Sequence, residues 1–212
     1  MEKETRERKM DKKIFFILIG TISILFGFDK TAYIEACKNN DVDACYALAL
    51  QLTTGKNIGN QESMKEGTSY MRKACVYGEI KACDKLGENY LIDKSYGAAR
   101  PYLTDSCNRG VKTACEAVGT IYRDGHDVRQ NDTKAREFYE KACDLKSPDA
   151  CHNVAIMYRG GFGVVKNRSI EKSFYQKGCD LGLKVSCEQY TILDNEDKGI
   201  KTGLWESMKN WF

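Results

Sequence analysis

Five segments of the chain repeat one pattern of apolar, small and aromatic positions, each hung on a cysteine. Counted from Cys45, Cys83, Cys115, Cys151 and Cys187, the third residue on is Leu48, Leu86, Val118, Val154 and Tyr190. The fourth is Ala49, Gly87, Gly119, Ala155 and Thr191, and the seventh is Leu52, Tyr90, Tyr122, Tyr158 and, out of pattern, Asp194. Apolar, small and aromatic residues at these offsets share one helical face, and the small one admits a neighbouring helix. This is helix A of each unit.

A second helix, B, leads up to a preceding cysteine. Five positions before Cys37, Cys75, Cys107, Cys143 and Cys179 stand Ala32, Tyr70, Tyr102, Phe138 and Phe174. Four before stand Tyr33, Met71, Leu103, Tyr139 and Tyr175. The stretch "DTKAREFYEKAC" predicts helix B best, with Asp132 or Thr133 as N-cap and Ala135 facing inward. Glycine-bearing loops, "RDGHDVRQND" and "RGGFGVVKN", join A to B as in antiparallel helix pairs. Successive second cysteines are 38, 32, 36 and 36 residues apart, a period typical of stacked helix pairs. The short unit has lost loop residues between Leu91 and Tyr96.

All ten cysteines fall into C-x7-C pairs. On a continuous helix eight residues rise about 12 Å, whereas a disulfide needs its Cα atoms about 4.4–6.8 Å apart. The chain must therefore turn between the two. Gly78, Gly110, Gly182 and Asn40, three residues after the first cysteine, suit a left-handed helix stop; the fourth unit has Lys146 there, followed by Pro148 to end the helix. The expected bridges are Cys37–Cys45, Cys75–Cys83, Cys107–Cys115, Cys143–Cys151 and Cys179–Cys187, each stapling the end of helix B to the start of the next A. The chain-entropy model gives about 2.5 kcal/mol for each such loop. Zinc sites and redox pairs favour C-x-x-C spacing, which the chain lacks, so neither metal nor cofactor is expected.

Composition adds a helix-rich, nearly neutral body. Only two prolines occur among 212 residues, and 33 basic residues face 30 acidic ones. Residues 1–28 hold six Lys/Arg and four Asp/Glu, so the whole-chain +3 leaves about +1 for the rest, no footprint for nucleic acid. Lys9, Lys12 and Lys13 precede the apolar run Ile14–Phe28, which is shorter than a comfortable membrane span. The run predicts a signal peptide or N-terminal anchor over 1–28, with Met10 as an alternative start and no clean cleavage site. Export to the periplasm or the medium agrees with a disulfide framework. The predicted organisation is 1–28 targeting segment, 29–193 repeat array and 194–212 tail or capping helix.

The units "TACEAVGTIYRDGHDVRQNDTKAREFYEKACDLK" and "DACHNVAIMYRGGFGVVKNRSIEKSFYQKGCDLG" resemble Sel-like repeats (SLR), relatives of tetratricopeptide repeats with longer loops. Residues Ala36, Ala74, Ser106, Ala142 and Gly178 precede the first cysteines. With cysteines at the B-to-A junction, the chain is similar to the cysteine-rich Helicobacter proteins, the Hcp β-lactamase family, from about Asp29 to Thr191. The short second loop and Glu171, at a position where the family has a small residue, depart from it. The resemblance implies an all-α, right-handed superhelical solenoid with a concave groove, secreted or periplasmic. It also implies penicillin binding or weak β-lactam hydrolysis.

The residues give that chemistry little to stand on. "SIEK", Ser169 to Lys172, and "KTG", Lys201 to Gly203, match two elements of serine β-lactamases, but no S-D-N occurs. His126 and His152 are the only histidines, too few for a zinc hydrolase. A general base would have to be a carboxylate such as Asp124, Asp127 or Glu116. Leu204, Met208, Trp211 and Phe212 form a helical stripe in the tail, read as a cap on the array or as an amphipathic segment for a partner or membrane. The sequence predicts a monomeric exported scaffold whose groove binds a protein, peptide or peptidoglycan fragment. β-Lactam binding with slow hydrolysis is the alternative.

Overall fold

The structure is a computed structural model and describes residues 29–54, 57 and 59–200. The targeting segment and the tryptophan-bearing stripe lie outside the described residues. Among these residues are ten α-helices and no strand. The first five are α1 (Lys30–Lys38), α2 (Val42–Thr53), α3 (Gln61–Val76), α4 (Ile80–Ile92) and α5 (Tyr96–Asn108); the others are α6 (Lys112–Asp124), α7 (Asp132–Asp144), α8 (Pro148–Gly160), α9 (Arg168–Asp180) and α10 (Lys184–Asp197). Odd-numbered helices are B and even-numbered helices A. None of the described helices is long and apolar enough to cross a membrane.

Every B-to-A turn closes in one way. The third residue after the first cysteine takes a positive φ: 63° at Asn40, 105° at Gly78, 93° at Gly110, 66° at Lys146 and 93° at Gly182. Its N–H donates to the carbonyl of the first cysteine, as from Gly110 to Cys107 at 3.0 Å. The next N–H donates to the residue before that cysteine, as from Val111 to Ser106 at 3.0 Å. This is the Schellman stop. Lys146 makes the stop itself, at a left-handed φ unfavourable for a side chain. Pro148 is the first residue of α8, where its fixed φ and missing N–H suit a helix start. It opens the next helix and does not end the last one.

The tight reversal sets the cysteines facing. Bridges Cys37–Cys45, Cys75–Cys83 and Cys143–Cys151 each span 4.7 Å between Cα atoms, Cys107–Cys115 spans 4.6 Å and Cys179–Cys187 4.5 Å. The residues before the second cysteines are Ala44, Ala82, Ala114, Ala150 and Ser186, all buried. They must be small because they meet the opposing helix. A Cβ on Gly178 would fall 2.6 Å from the Ser186 hydroxyl.

Side-chain caps begin several helices. Asp41 accepts from Ala44 N–H and Ser147 from Ala150 N–H. Asn131, not Asp132 or Thr133, caps α7: its Oδ1 accepts from Lys134 N–H at 2.9 Å. Three adjacent residues could have served, and the bond from Asn131 N–H to the Tyr122 carbonyl at 2.8 Å fixes which one does.

The helices pack as two units that divide between Lys73 and Ala74. In the first, Cys37, Cys45, Leu48, Ala49, Leu52 and Met71 are buried. Lys73 Nζ donates to the Cys37 carbonyl at 2.6 Å. In the second, the small positions of α4 and α6 each receive a large residue of the following B helix. Cβ atoms on Gly87 and Gly119 would fall 2.5 Å from Leu103 and 2.8 Å from the Tyr139 ring. The aromatic position stacks on the next helix as well: Tyr90 on Tyr102 at 5.8 Å, Tyr122 on Phe138 and Tyr158 on Phe174, both at 5.9 Å. Asp194 takes that place in α10, which no further B helix follows among the described residues. The helix itself runs through Asp197, four residues into the segment read as a tail.

Candidate functional site

Between α6, α7 and α8 lies a cleft of about 340 Å³. Its polar wall is Arg123 and Asp124 at the end of α6, with Gln130 and Asp132 where α7 begins. Its floor and far wall are Tyr139, Asn153, Ile156, Met157 and Phe162. The repeat puts them there: Tyr139 and Met157 are anchored in the core, whereas Phe162, in the loop after α8, is half exposed. The glycines of that loop hold it in shape, Gly161 ending α8 at φ 76°.

Most charges in the cleft are spoken for. Arg123 donates to both carboxylate oxygens of Asp124, at 2.7 and 3.1 Å. That pairing raises the guanidinium's proton affinity and holds the Asp124 carboxyl below its ordinary range. Gln130 donates to Asp132 at 3.2 Å. The Tyr139 hydroxyl shares a 2.9 Å bond with Thr120, and burial pushes this phenol up. The Asn153 amide, half-buried, has no hydrogen bond among the described residues. A free amide among apolar side chains offers one donor face and one acceptor to a ligand.

Of the described residues considered for catalysis, only Asp124 lines the cleft; the others are placed elsewhere. Lys172 donates to Asp194 at 3.0 Å and Asp197 at 2.6 Å, and those bonds raise its proton affinity. A lysine serving as base to Ser169 would need the opposite shift. Ser169 is exposed at the start of α9, and the K-T-G lies outside the described residues. His126 stacks on Tyr96 at 4.3 Å, and Asp127 accepts from Gly97 N–H at 3.0 Å. Both brace the α6–α7 loop against α5. Asp124 lines the cleft as the partner of Arg123, and Glu116 is half-buried on α6. His152 Nδ1 meets the Ser186 hydroxyl at 2.9 Å, but Ser186 is wholly buried and cannot reach a substrate. Burial, with Arg159 nearby, lowers the affinity of His152 for a proton. Cys75 and Cys83 lie close to Asp105, yet their sulfurs are bonded to each other and leave no thiolate for a metal.

The comparisons agree with the helix-pair geometry. The Sel1 repeat family model matches residues 113–147 and 148–183, which hold α6 with α7 and α8 with α9. Residues 113–183 carry two Sel1 repeats. The fold of the chain is shared with c5321 of uropathogenic Escherichia coli, described as a protective antigen displaying an SLR fold, at TM-score 0.59 and 18% identity. That match covers 79% of this chain and 36% of c5321, so this chain spans about a third of c5321's length. A Sel1 repeat protein of Oxalobacter formigenes matches at TM-score 0.57 and 18% identity over 82% of this chain and 72% of the other. Cysteine-rich protein B of Helicobacter pylori is 23% identical over 76% of this chain and 97% of its own, at TM-score 0.36. No curated protein matches the sequence. Sequence reasoning located the repeats but not Arg123, Gln130, Asn153 or Phe162. The available signal was the amide two residues after Cys151 on an A helix.

Proposed function

We propose that this chain is an exported binding scaffold that takes an extended peptide segment in the α6–α8 cleft. The observation that carries the reading is the unpaired Asn153 amide beside Ile156, Met157 and half-exposed Phe162. A carboxamide matches the donor and acceptor of a peptide bond, and the apolar wall suits a side chain next to it. Five disulfides agree with work in an oxidising compartment.

The test is a peptide array followed by titration of the oxidised protein with the best hits. Asn153→Ala is expected to weaken them about fivefold, the size of one net hydrogen bond. Phe162→Ala, which removes an exposed wall and not a core residue, is expected to weaken them too. Hits whose affinity neither substitution changes would place peptide binding away from this cleft.

A further inference from the structure

Helices α5, α7 and α9 carry a cation at one repeat position, seven residues before the cysteine: Arg100, Arg136 and Lys172. In two of the three repeats the chain supplies the counter-charge. Arg136 Nη1 donates to Glu140 Oε1 at 2.7 Å, and the Tyr158 hydroxyl donates to the same oxygen at 3.4 Å. Lys172 donates to Asp194, which holds the place of Tyr158 in its own repeat, and to Asp197. The first of the three has the cation and the tyrosine but not the carboxylate. Thr104 stands where α7 has Glu140, and Arg100 Nη1 donates straight to the Tyr122 hydroxyl at 3.0 Å.

A second residue sets this repeat apart. Lys134 on α7 places its Nζ 5.1 Å from the centroid of the Tyr122 ring, and Arg100 Cζ lies 5.9 Å from the same centroid. At the place of Lys134 the next repeat has Ile170. Two cations thus converge on Tyr122, and neither pairs with a carboxylate among the described residues. The Nε of Arg100 is buried without a partner, but so is that of Arg136, so the two arginines differ in what their Nη atoms meet. The next repeat also shows that the place can be reached. The Glu140 side chain, bonded to both guanidinium and phenol, is 28% exposed. Threonine is too short to fill that place, while Arg100 is partly exposed and Lys134 exposed. A guanidinium binds a carboxylate through directed, charge-assisted bonds, and neighbouring cations without counter-charges attract an anion.

We propose that Arg100, Tyr122 and Lys134 form a carboxylate-binding site, in which a ligand carboxylate takes the place that Glu140 holds one repeat further on. It accepts from Arg100 and from the Tyr122 hydroxyl, with the Lys134 ammonium beside it. The carboxylate belongs to a peptide or protein, as an acidic side chain or as the chain terminus. The site shares no residue with the α6–α8 cleft, so either assignment stands without the other.

One test needs no ligand. Thr104→Glu supplies the carboxylate from within the chain, and it is expected to raise the melting temperature of the oxidised protein above that of Thr104→Gln. Arg100→Gln is expected to abolish this gain, as a double-mutant cycle reads it. The other test is titration of the isotope-labelled, oxidised protein followed by backbone amide shifts. The probes are acetyl-Ala-Glu-Ala amide, acetyl-Ala-Ala-Ala with a free carboxylate, acetyl-Ala-Gln-Ala amide and inorganic phosphate. At least one carboxylate peptide is expected to bind about fivefold tighter than the glutamine peptide, the size of one partly exposed ion pair, and to shift Arg100, Thr104 and Lys134. Preference for the glutamyl peptide alone assigns a side chain, for the free acid alone a chain terminus, and for both the carboxylate from either source. Arg100→Gln and Thr104→Glu are each expected to abolish the preference, and Lys134→Met to reduce it. Thermal unfolding verifies that each variant folds. Equal binding of the three peptides overturns the site, as does binding by none of them or a preference that survives Arg100→Gln. A stability gain from Thr104→Glu without any carboxylate preference makes this a pairing position inside the repeat and overturns the ligand. Phosphate that binds the same amides as tightly as the carboxylate peptides overturns the assignment to a carboxylate.

Discussion

Tyr139 and Tyr175 hold the same place in consecutive repeats, packed over Gly119 and beside Ala155, and differ in what their hydroxyls meet. Removing the Tyr139 hydroxyl breaks its 2.9 Å bond to Thr120, and Tyr139→Phe is expected to cost about 1 kcal/mol. Tyr175→Phe deletes a buried oxygen that has no partner, so it is expected to leave stability unchanged or raise it. Melting temperatures of the two variants check this: equal losses would mean that both hydroxyls are satisfied in solution. At this scale the sequence was legible where residue type answers to backbone geometry, as at Gly78, Gly110 and Gly182. Lys146 was harder, because nothing in its side chain announces a left-handed φ of 66°; the repeat register alone assigns it. The cleft was not legible. Asn153 matters for what it does not bond, and that depends on Arg123 having turned to Asp124.

Helices α9 and α10 are joined by more than packing. Arg168 reaches Glu196 at 2.7 Å and Asp197 at 3.2 Å, while Lys172 holds Asp194 and Asp197 and Lys198 adds a 2.6 Å bond to Asp194. Single exposed pairs contribute little; a connected set with shared carboxylates contributes more. Bonds from Lys198 and Lys172 lower the Asp194 carboxyl, and bonds from Lys172 and Arg168 lower that of Asp197. Carboxyls whose folded pKa is depressed bind fewer protons folded than unfolded. Their contribution is therefore present above the ordinary value of 3.8 and is lost as pH falls through the folded value. Lys172→Met is expected to lower the melting temperature near neutrality and to flatten its decline below that pH, with added salt shrinking the gap. Parallel pH profiles for the two proteins would show that the network is not coupled to folding. The same contacts explain why Asp194 broke the apolar pattern. With no following B helix among the described residues to stack upon, its place serves for an ion pair.

The order and pairing of helices among the described residues was legible because one cysteine register recurs five times, and a geometric constraint repeated in register leaves few folds open. The same regularity makes the bridges testable as a set. Each closes a loop of similar length, so the chain-entropy model assigns each about 2.5 kcal/mol wherever it lies. Their surroundings differ. Cys143 and Cys151 are buried in the cluster that unites α5 to α8, whereas the described residues packed around Cys179 and Cys187 end with α10. In a repeat array each unit is supported by its neighbours, and an end unit has one fewer. Replacing Cys179 and Cys187 by Ala is expected to free α10 alone, its amides exchanging early in a hydrogen-exchange experiment while 114–157 stay protected. Replacing Cys143 and Cys151 is expected to weaken protection on both sides, through α7 and α8 into α6 and α9. If both double variants lose protection uniformly along the second unit, that unit unfolds as one cooperative body. The bridges would then stabilise it globally and not as staples between neighbouring helices.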